Sequence, residues 1–257
     1  MICQAIKDSS IEVFNWISKQ KEVGEESITD WSLYNANRLD GRIQYHQFNR
    51  HEEGKYTGAD FELWILTNSI YFKARVQAKR LRPQKDLYPS IAHSNRHGLQ
   101  IDKLLTDASR GGFRPLYAFY NNENHKSKCQ LDIKNEGIYL ADAFKIQSDI
   151  FSVAKRNISS AHLISMSLPF SCWFCCELYN PENQGTFEDF LKNYYSLTPN
   201  AKLNGFTNDL PNYVKESLRF SEKQKDELTQ NIEYDLQREF RILREVNGLL
   251  IIDNRKK

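Results

Sequence analysis

Asp60, Glu62, Gln77 and Lys79 are the residues whose types and spacing could do chemistry together. Asp60 and Glu62 are two apart, and so are Gln77 and Lys79, so each pair shares one face of an extended chain. Carboxylates and neutral carbonyl oxygens are what a hard cation such as Mg²⁺ or Mn²⁺ takes as ligands. A bound cation polarises a phosphate and lowers the pKa of an attacking water. A lysine beside it orients that water or stabilises the charge that develops on the phosphate. The chemistry implied is metal-assisted phosphodiester hydrolysis. The competing interpretation is an ion pair of Asp60 with Lys79 at the surface of a hairpin end, which carries no activity.

The neighbouring elements must bring these groups together. Leu63-Trp64-Ile65-Leu66 is an apolar run, Thr67-Asn68-Ser69 is turn chemistry, and Tyr71 to Lys79 continues with aromatic and β-branched residues. This predicts a hairpin with Asp60 near Lys79. Before it, Glu25–Leu39 is predicted to be a helix with Ile28, Trp31 and Leu39 among its apolar contacts. Asp40-Gly41 ends that helix, and Arg42–Asn49 alternates as a strand. After it, Pro83 stops the hairpin and a loop runs to Arg96. A helix over Leu99–Arg110 then has Ile101, Leu104, Leu105 and Ala108 on its buried face. Gly111-Gly112 ends it, and Pro115–Asn121 is a short apolar strand. Strand, helix and strand in this order predict a crossover back to the same sheet. The fold class expected is α/β: a central mixed sheet flanked by helices, with a mainly helical C-terminal extension that ends in a hairpin.

Gly58-x-Asp60 followed by Gln77-x-Lys79, with sixteen residues between Asp60 and Gln77, resembles the motif of the PD-(D/E)XK, or restriction-endonuclease-like, nuclease superfamily. The likeness covers roughly Glu25 to Asn121. Gln77 stands where the commoner motif has Glu or Asp, as in Mrr-like members. The resemblance implies a catalytic set of Asp60, Gln77, Lys79 and an acid from the preceding helix. Asp60, Gln77 and that acid would be the ligands of Mg²⁺ or Mn²⁺. Glu26, through Glu26-x-x-Thr29, resembles the helix acid more than Glu25 does, but spacing alone does not choose between them. Both also suit the positive end of a helix. Gln100 resembles the glutamine that related nucleases carry on the helix after the lysine strand; a solvent-facing role is the alternative. The resemblance also implies a nucleic-acid substrate, DNA, and a setting in prokaryotic restriction, phage defence or mobile elements. A second copy of the chain or a partner protein would supply specificity. The alternative is a catalytically inactive nuclease-fold module that binds nucleic acid or a partner protein.

Composition narrows the rest. The 257 residues suffice for one domain with an extension, read as a core over 1–122 and an extension over 123–257 packed on it. A net charge of +2 leaves only a local basic cluster to meet nucleic acid. Arg80, Arg82 and Lys103, with Gln100, are the expected contacts, and Lys79, Lys85, Arg96, His97, Arg110 and Arg114 lie nearby in sequence. A solvated surface is the bland alternative. Aromatic residues are plentiful but scattered and mark no stacking platform. No run of some eighteen apolar residues is present, so no membrane span is expected. Met1 to Asp8 lacks the layout of a signal peptide. Five cysteines is an odd count; with Cys172, Cys175 and Cys176 clustered, it points to core thiols in a reducing cytoplasm rather than a disulfide framework. Ser9 or Ser10 is expected to cap the first helix. Ser221-x-x-Gln224 reads as the capping box of a helix to about Glu239. Asn247-Gly248 is the strongest hairpin signal, between Arg238–Val246 and Leu249–Asp253. No serine-nucleophile elbow, Walker loop, zinc-protease helix or dinucleotide glycine pattern is present.

Overall fold

The apolar run and the turn that follows it fold as one hairpin. Strand β2 (Phe61–Leu66) pairs antiparallel with β3 (Tyr71–Arg80), Phe61 opposite Val76 and Leu66 opposite Tyr71. The Thr67 hydroxyl and amide both bond the Ile70 carbonyl and close the turn. The structure, a computed structural model, describes residues 1–48, 57–82, 88, 91, 94–95, 98–129, 134–151, 158–175, 187–195, 204–223 and 246–255.

Helix α1 spans Ile2–Lys19, α2 spans Glu25–Leu39 and α3 spans Gln100–Gly111. The other strands are β1 (Ile43–Gln47), β4 (Arg114–Tyr120), β5 (Ile138–Asp142), β6 (Leu168–Pro169), β7 (Phe206–Thr207) and β8 (Gly248–Asp253). One sheet takes the order β1-β8-β2-β3-β4-β5-β6, and β7 adds to the start of β3. β4 lies parallel to β3, so α3 is the expected crossover. The other parallel pair is β8 with β2; β1 lies antiparallel to β8, and β5 to β4. The sheet is therefore mixed and open, with helices packed on both faces.

Parity along the strands divides the core. Phe61, Leu63, Ile65, Val76 and Ala78 face one cluster, with Ile6, Val13 and Ile17 of α1 and Ile28 and Leu33 of α2. Trp64, Leu66, Tyr117, Leu249 and Ile251 face the other, against Ile101, Leu104 and Ala108 of α3. Glu62, Arg75 and Gln77 have the parity of this second face, and Arg75 and Gln77 meet Asp107 and Gln100 of α3 there; Asp60 and Lys79, at the strand ends, reach the start of α2.

Several expectations are corrected. Asn247-Gly248 does not turn a hairpin. β8 is flanked on both edges, by β1 and β2, so no edge remains for Arg238–Val246; the 224–245 stretch lies outside the described residues. Gly248 is needed there because a Cβ would stand 2.6 Å from the Tyr45 ring. The sheet thus draws strands from both sides of residue 122. Ser9 and Ser10 lie inside α1 and are buried, Ser10 donating to Glu136 at 2.6 Å. Ser221 sits within a helix over Asn212–Lys223 and is not its cap. Trp31 and Leu39 lie on the outer side of α2, at 36% and 42% exposure. Arg114 belongs to no surface patch; it is buried and paired with Asp142. Cys3 and Cys175 form a disulfide with Cα atoms 5.0 Å apart, while Cys129 and Cys172 are buried thiols with sulfurs 2.7 Å apart. Among the described residues, no helix is long and apolar enough to cross a membrane.

Candidate functional site

Asp60 immediately precedes β2, where the strand leaves the buried ladder. By register it stands opposite Gln77, one step beyond the Phe61–Val76 pair. Its backbone is fixed on both sides: the amide donates to Val76 O at 2.8 Å, and the carbonyl accepts from Asn247 N at 2.8 Å. Its Oδ2 accepts from the Ala78 amide at 2.6 Å and from the Gln77 side-chain amide. Gln77 Oε1 in turn accepts from Gln100 Nε2 at 2.5 Å. Asp60, Gln77 and Gln100 are thus one chain of hydrogen bonds across β2, β3 and the first turn of α3.

Gly58 is why α3 can come so close. It has φ +63°, and a Cβ on it would stand 2.7 Å from Gln100 O and 3.0 Å from Leu104 N. Only glycine adopts that left-handed conformation at little cost with helix backbone against it.

Lys79 lies at the far end of β3 and is buried. Its Nζ is 3.4 Å from Glu25 Oε1, and Glu25 Oε2 accepts the Arg80 amide at 2.8 Å. Of the two helix acids, Glu25 therefore makes the contact with the lysine strand. Glu26 lines the same small pocket as Asp60 and Glu25, together with Thr29, Asp30, Tyr45 and Asn247. Arg80 sends its guanidinium to the Lys21 carbonyl, and Arg82 is exposed. Lys103 is half-buried on the first turns of α3 beside Gly58. Lys85, Arg96 and His97 lie outside the described residues.

The pocket has a negative field. Burial first, and then the Asp30 carboxylate, push the Tyr45 hydroxyl up in pKa, with Asp60 adding to the effect. Burial also raises Tyr117 and Tyr120, and the charges of Asp60 and Glu25 push both in the same direction. Asn247 Oδ1, buried in the same pocket, has no hydrogen-bond partner among the described residues. Four carboxylates and an orphaned amide oxygen are the kind of donors a hard divalent ion takes, and a cation would relieve the charge they concentrate. Among the described residues, however, no three His, Cys, Asp or Glu side chains stand as a ready-made ligand group. The chemistry of the residues fits a cation, while their present hydrogen bonds tie Asp60 to Gln77 and Ala78, Glu25 to Lys79 and Arg80, and Asp30 to Tyr45 and Gln47.

Asn247, Asp30 and Tyr45 are the pocket residues that the sequence did not single out. Asn247 was masked by its hairpin signal, because asparagine before glycine reads locally as a turn. Tyr45 and Asp30 carry no motif; only the hydrogen bond from the Tyr45 hydroxyl to Asp30, at 2.7 Å, ties them together.

Fold and pocket together define an α/β protein with an acidic site at one end of a mixed sheet, between the starts of α2 and β2. The chain belongs to a family of unknown function, DUF6615, whose model matches residues 2–256. No curated protein and no solved structure matches it.

Proposed function

We propose that the chain is a metal-dependent nuclease with a restriction-endonuclease-like core, hydrolysing phosphodiester bonds of nucleic acid, DNA in the first instance. The observation that carries this is the meeting of Asp60, Glu25 and Glu26 in one pocket, with buried Lys79 bonded to Glu25 at its edge. Asp60, Glu25 or Glu26, and the Asn247 amide oxygen are the groups that would hold Mg²⁺ or Mn²⁺. The cation supplies polarisation of the scissile phosphate and a lowered pKa for a nearby water.

The chain's own residues do the rest. The Ala78 amide fixes the Asp60 carboxylate before substrate arrives, so no ordering is needed at the moment of reaction. Lys79 keeps an ammonium at the pocket edge, where it offers a proton donor to a phosphate oxygen. Gln100 holds the Gln77 amide so that its nitrogen donates to Asp60. Exposed Arg82 and half-buried Lys103 are the cations that suit contacts to the phosphate backbone.

A second reading has its own support. The Gln77 amide already occupies Asp60, and no ready-made ligand trio is present among the described residues. A nuclease-fold module that binds nucleic acid or a partner without cutting is consistent with both. Calorimetry with Mg²⁺ and Mn²⁺, followed by incubation with plasmid DNA with and without EDTA, separates the two. Metal binding with cleavage abolished by EDTA is expected. Cleavage that persists in EDTA sinks the first reading, and metal binding with no cleavage favours the second.

A further inference from the structure

The exposed side of α2 carries a second feature beside the acidic pocket. Trp31 and Tyr34 are three apart and so share a helix face, as do Asp30 and Asn37. Tyr34 is 59% exposed, the most open large aromatic side chain among the described residues. Trp31 meets Trp16 of α1 edge-on, with ring centroids 5.3 Å apart. Together they line an open groove of about 630 Å³, which reaches Tyr45 on β1. That volume lies within the range of small-ligand sites, roughly 300–1,000 Å³. Asp30 and Tyr45 line both this groove and the pocket that holds Asp60. The two are therefore neighbours, with the hydrogen-bonded Tyr45 and Asp30 as their shared lining.

Charge decides what suits the groove. Among the described residues, its only charged lining residue is Asp30, an acid, which repels phosphate. Flat aromatic faces bordered by carboxylate and amide groups suit a neutral, planar ring with amino edges, which is a nucleobase. In a duplex the base faces are covered by their neighbours; only an unpaired or flipped-out base presents one. We propose that this groove stacks an unpaired base next to the phosphate under attack, which makes the preferred substrate single-stranded or locally unpaired nucleic acid. This rests on the nuclease reading for the place of the phosphate, but the stacking itself needs no metal.

The test uses the full chain in EDTA, so that nothing is cut. Trp64 and Trp173 are buried, so fluorescence quenching by added ligand reports Trp16 and Trp31. A short single-stranded oligodeoxynucleotide should quench that emission, while the same sequence as a duplex should bind at least tenfold more weakly. Tyr34→Ala should weaken single-strand binding by about tenfold, the scale of one lost stack, with its Mg²⁺ affinity unchanged. Trp31→Phe, which keeps a ring against Trp16, should retain most of the affinity, and Trp31→Ala should not. Equal binding of duplex and single strand, or full affinity in Tyr34→Ala, overturns the proposal. So does self-association of the chain that Tyr34→Ala abolishes while oligonucleotides leave the emission unchanged; that result assigns the face to a second copy. Failure of the nuclease reading shows separately, as absent metal binding or cleavage in the wild type.

Discussion

Asp60 and Glu62 sit two residues apart, on one face of the same strand edge, yet their surroundings are opposite. Glu62 is fully buried and sealed. It accepts from Trp64 Nε1 at 2.5 Å and from the Tyr213 hydroxyl, and Arg75 Nη1 lies 3.1 Å from its second oxygen. Arg75 is held in turn by Asp107 at 3.2 Å and lies over the Phe113 ring at 4.7 Å. Asp60 is half-exposed, is held by a backbone amide and a neutral side chain, and borders a pocket with three more acids. One acid has a guanidinium built against it, whereas the other is held by amides and shares its pocket with further acids. Sequence type is the same in both; position along the strand, inside the ladder or at its end, decides whether a carboxylate is structure or site.

The largest effects should separate these two acids. Asp60→Ala should abolish metal binding and cleavage, because the remaining donors come from the start of α2 and a neutral amide, too few for a hard divalent ion. Its stability should fall by about 1–3 kcal/mol, because the Ala78 and Gln77 amides lose the oxygen they donate to. Glu62→Ala should leave metal binding unchanged and cost more, about 3–5 kcal/mol in stability, because Arg75 loses its buried partner and keeps the partly exposed Asp107. Denaturant melts and metal titrations on both variants check this. If Asp60→Ala cuts normally, or Glu62→Ala unfolds no more easily than wild type, the contrast fails.

Glu136 sharpens the comparison, as a sealed acid held by serine hydroxyls. It accepts from Ser10 at 2.6 Å and Ser171 at 2.8 Å between α1 and the start of β5. Burial pushes its carboxyl up to about 7, against the pull of those serine hydroxyls. The native state therefore keeps a proton that the unfolded chain releases. The sign follows: the contribution is full below about pH 4.5, fades as pH rises through 7, and the loss sums to about 3 kcal/mol. Glu136→Gln should flatten that slope in denaturation measurements between pH 5 and 8. An unchanged slope would show that Glu136 does not set it.

Lys79→Ala addresses the open end again. Lysine at the pocket edge acts on the phosphate rather than on the cation, so metal affinity should hold while turnover falls about 100-fold. Parallel loss of metal affinity would instead make Lys79 a support for Glu25, which it contacts at 3.4 Å.

Much of this contrast was legible in the sequence where the signals are local. The hairpin, the crossover through α3 and the α2 boundaries follow from apolar periodicity and strong stops at Asp40-Gly41 and Gly111-Gly112. What escaped depends on tertiary contacts. Asn247-Gly248 has the residues of a turn, yet β8 slots between β1 and β2, because two sheet edges outweigh a local preference. Ser9 and Ser10 look like caps, but their hydroxyls find partners across the core, Ser9 on Ser32 O at 2.6 Å and Ser10 on Glu136. Glu25 and Glu26 differ by one position, about 100° around a helix, and only packing against β3 shows which meets Lys79. The aromatic residues looked scattered because Trp16 and Tyr45 come from other elements than Trp31 and Tyr34.

The smallest effect is the most discriminating at the site itself. Gln77 gives its amide nitrogen to Asp60 and takes the Gln100 amide on its oxygen. Gln77→Glu keeps the shape and the bond from Gln100 but replaces the donor facing Asp60 with a second acceptor. Two carboxylates in contact cannot both ionise easily, so one pKa rises and the pair holds a proton. Without metal, stability should fall by about 1–2 kcal/mol at neutral pH, because a charge-assisted hydrogen bond is lost. With Mg²⁺ or Mn²⁺ present, the added charge becomes a ligand, and affinity should rise. That gain should grow with pH as the shared proton leaves, because metal and proton compete for the same oxygens. Titrations of wild type and Gln77→Glu across pH measure both effects. If the variant binds metal no better at any pH, Gln77 is not at a metal site, and its role is to hold Asp60 in a hydrogen-bonded strand end.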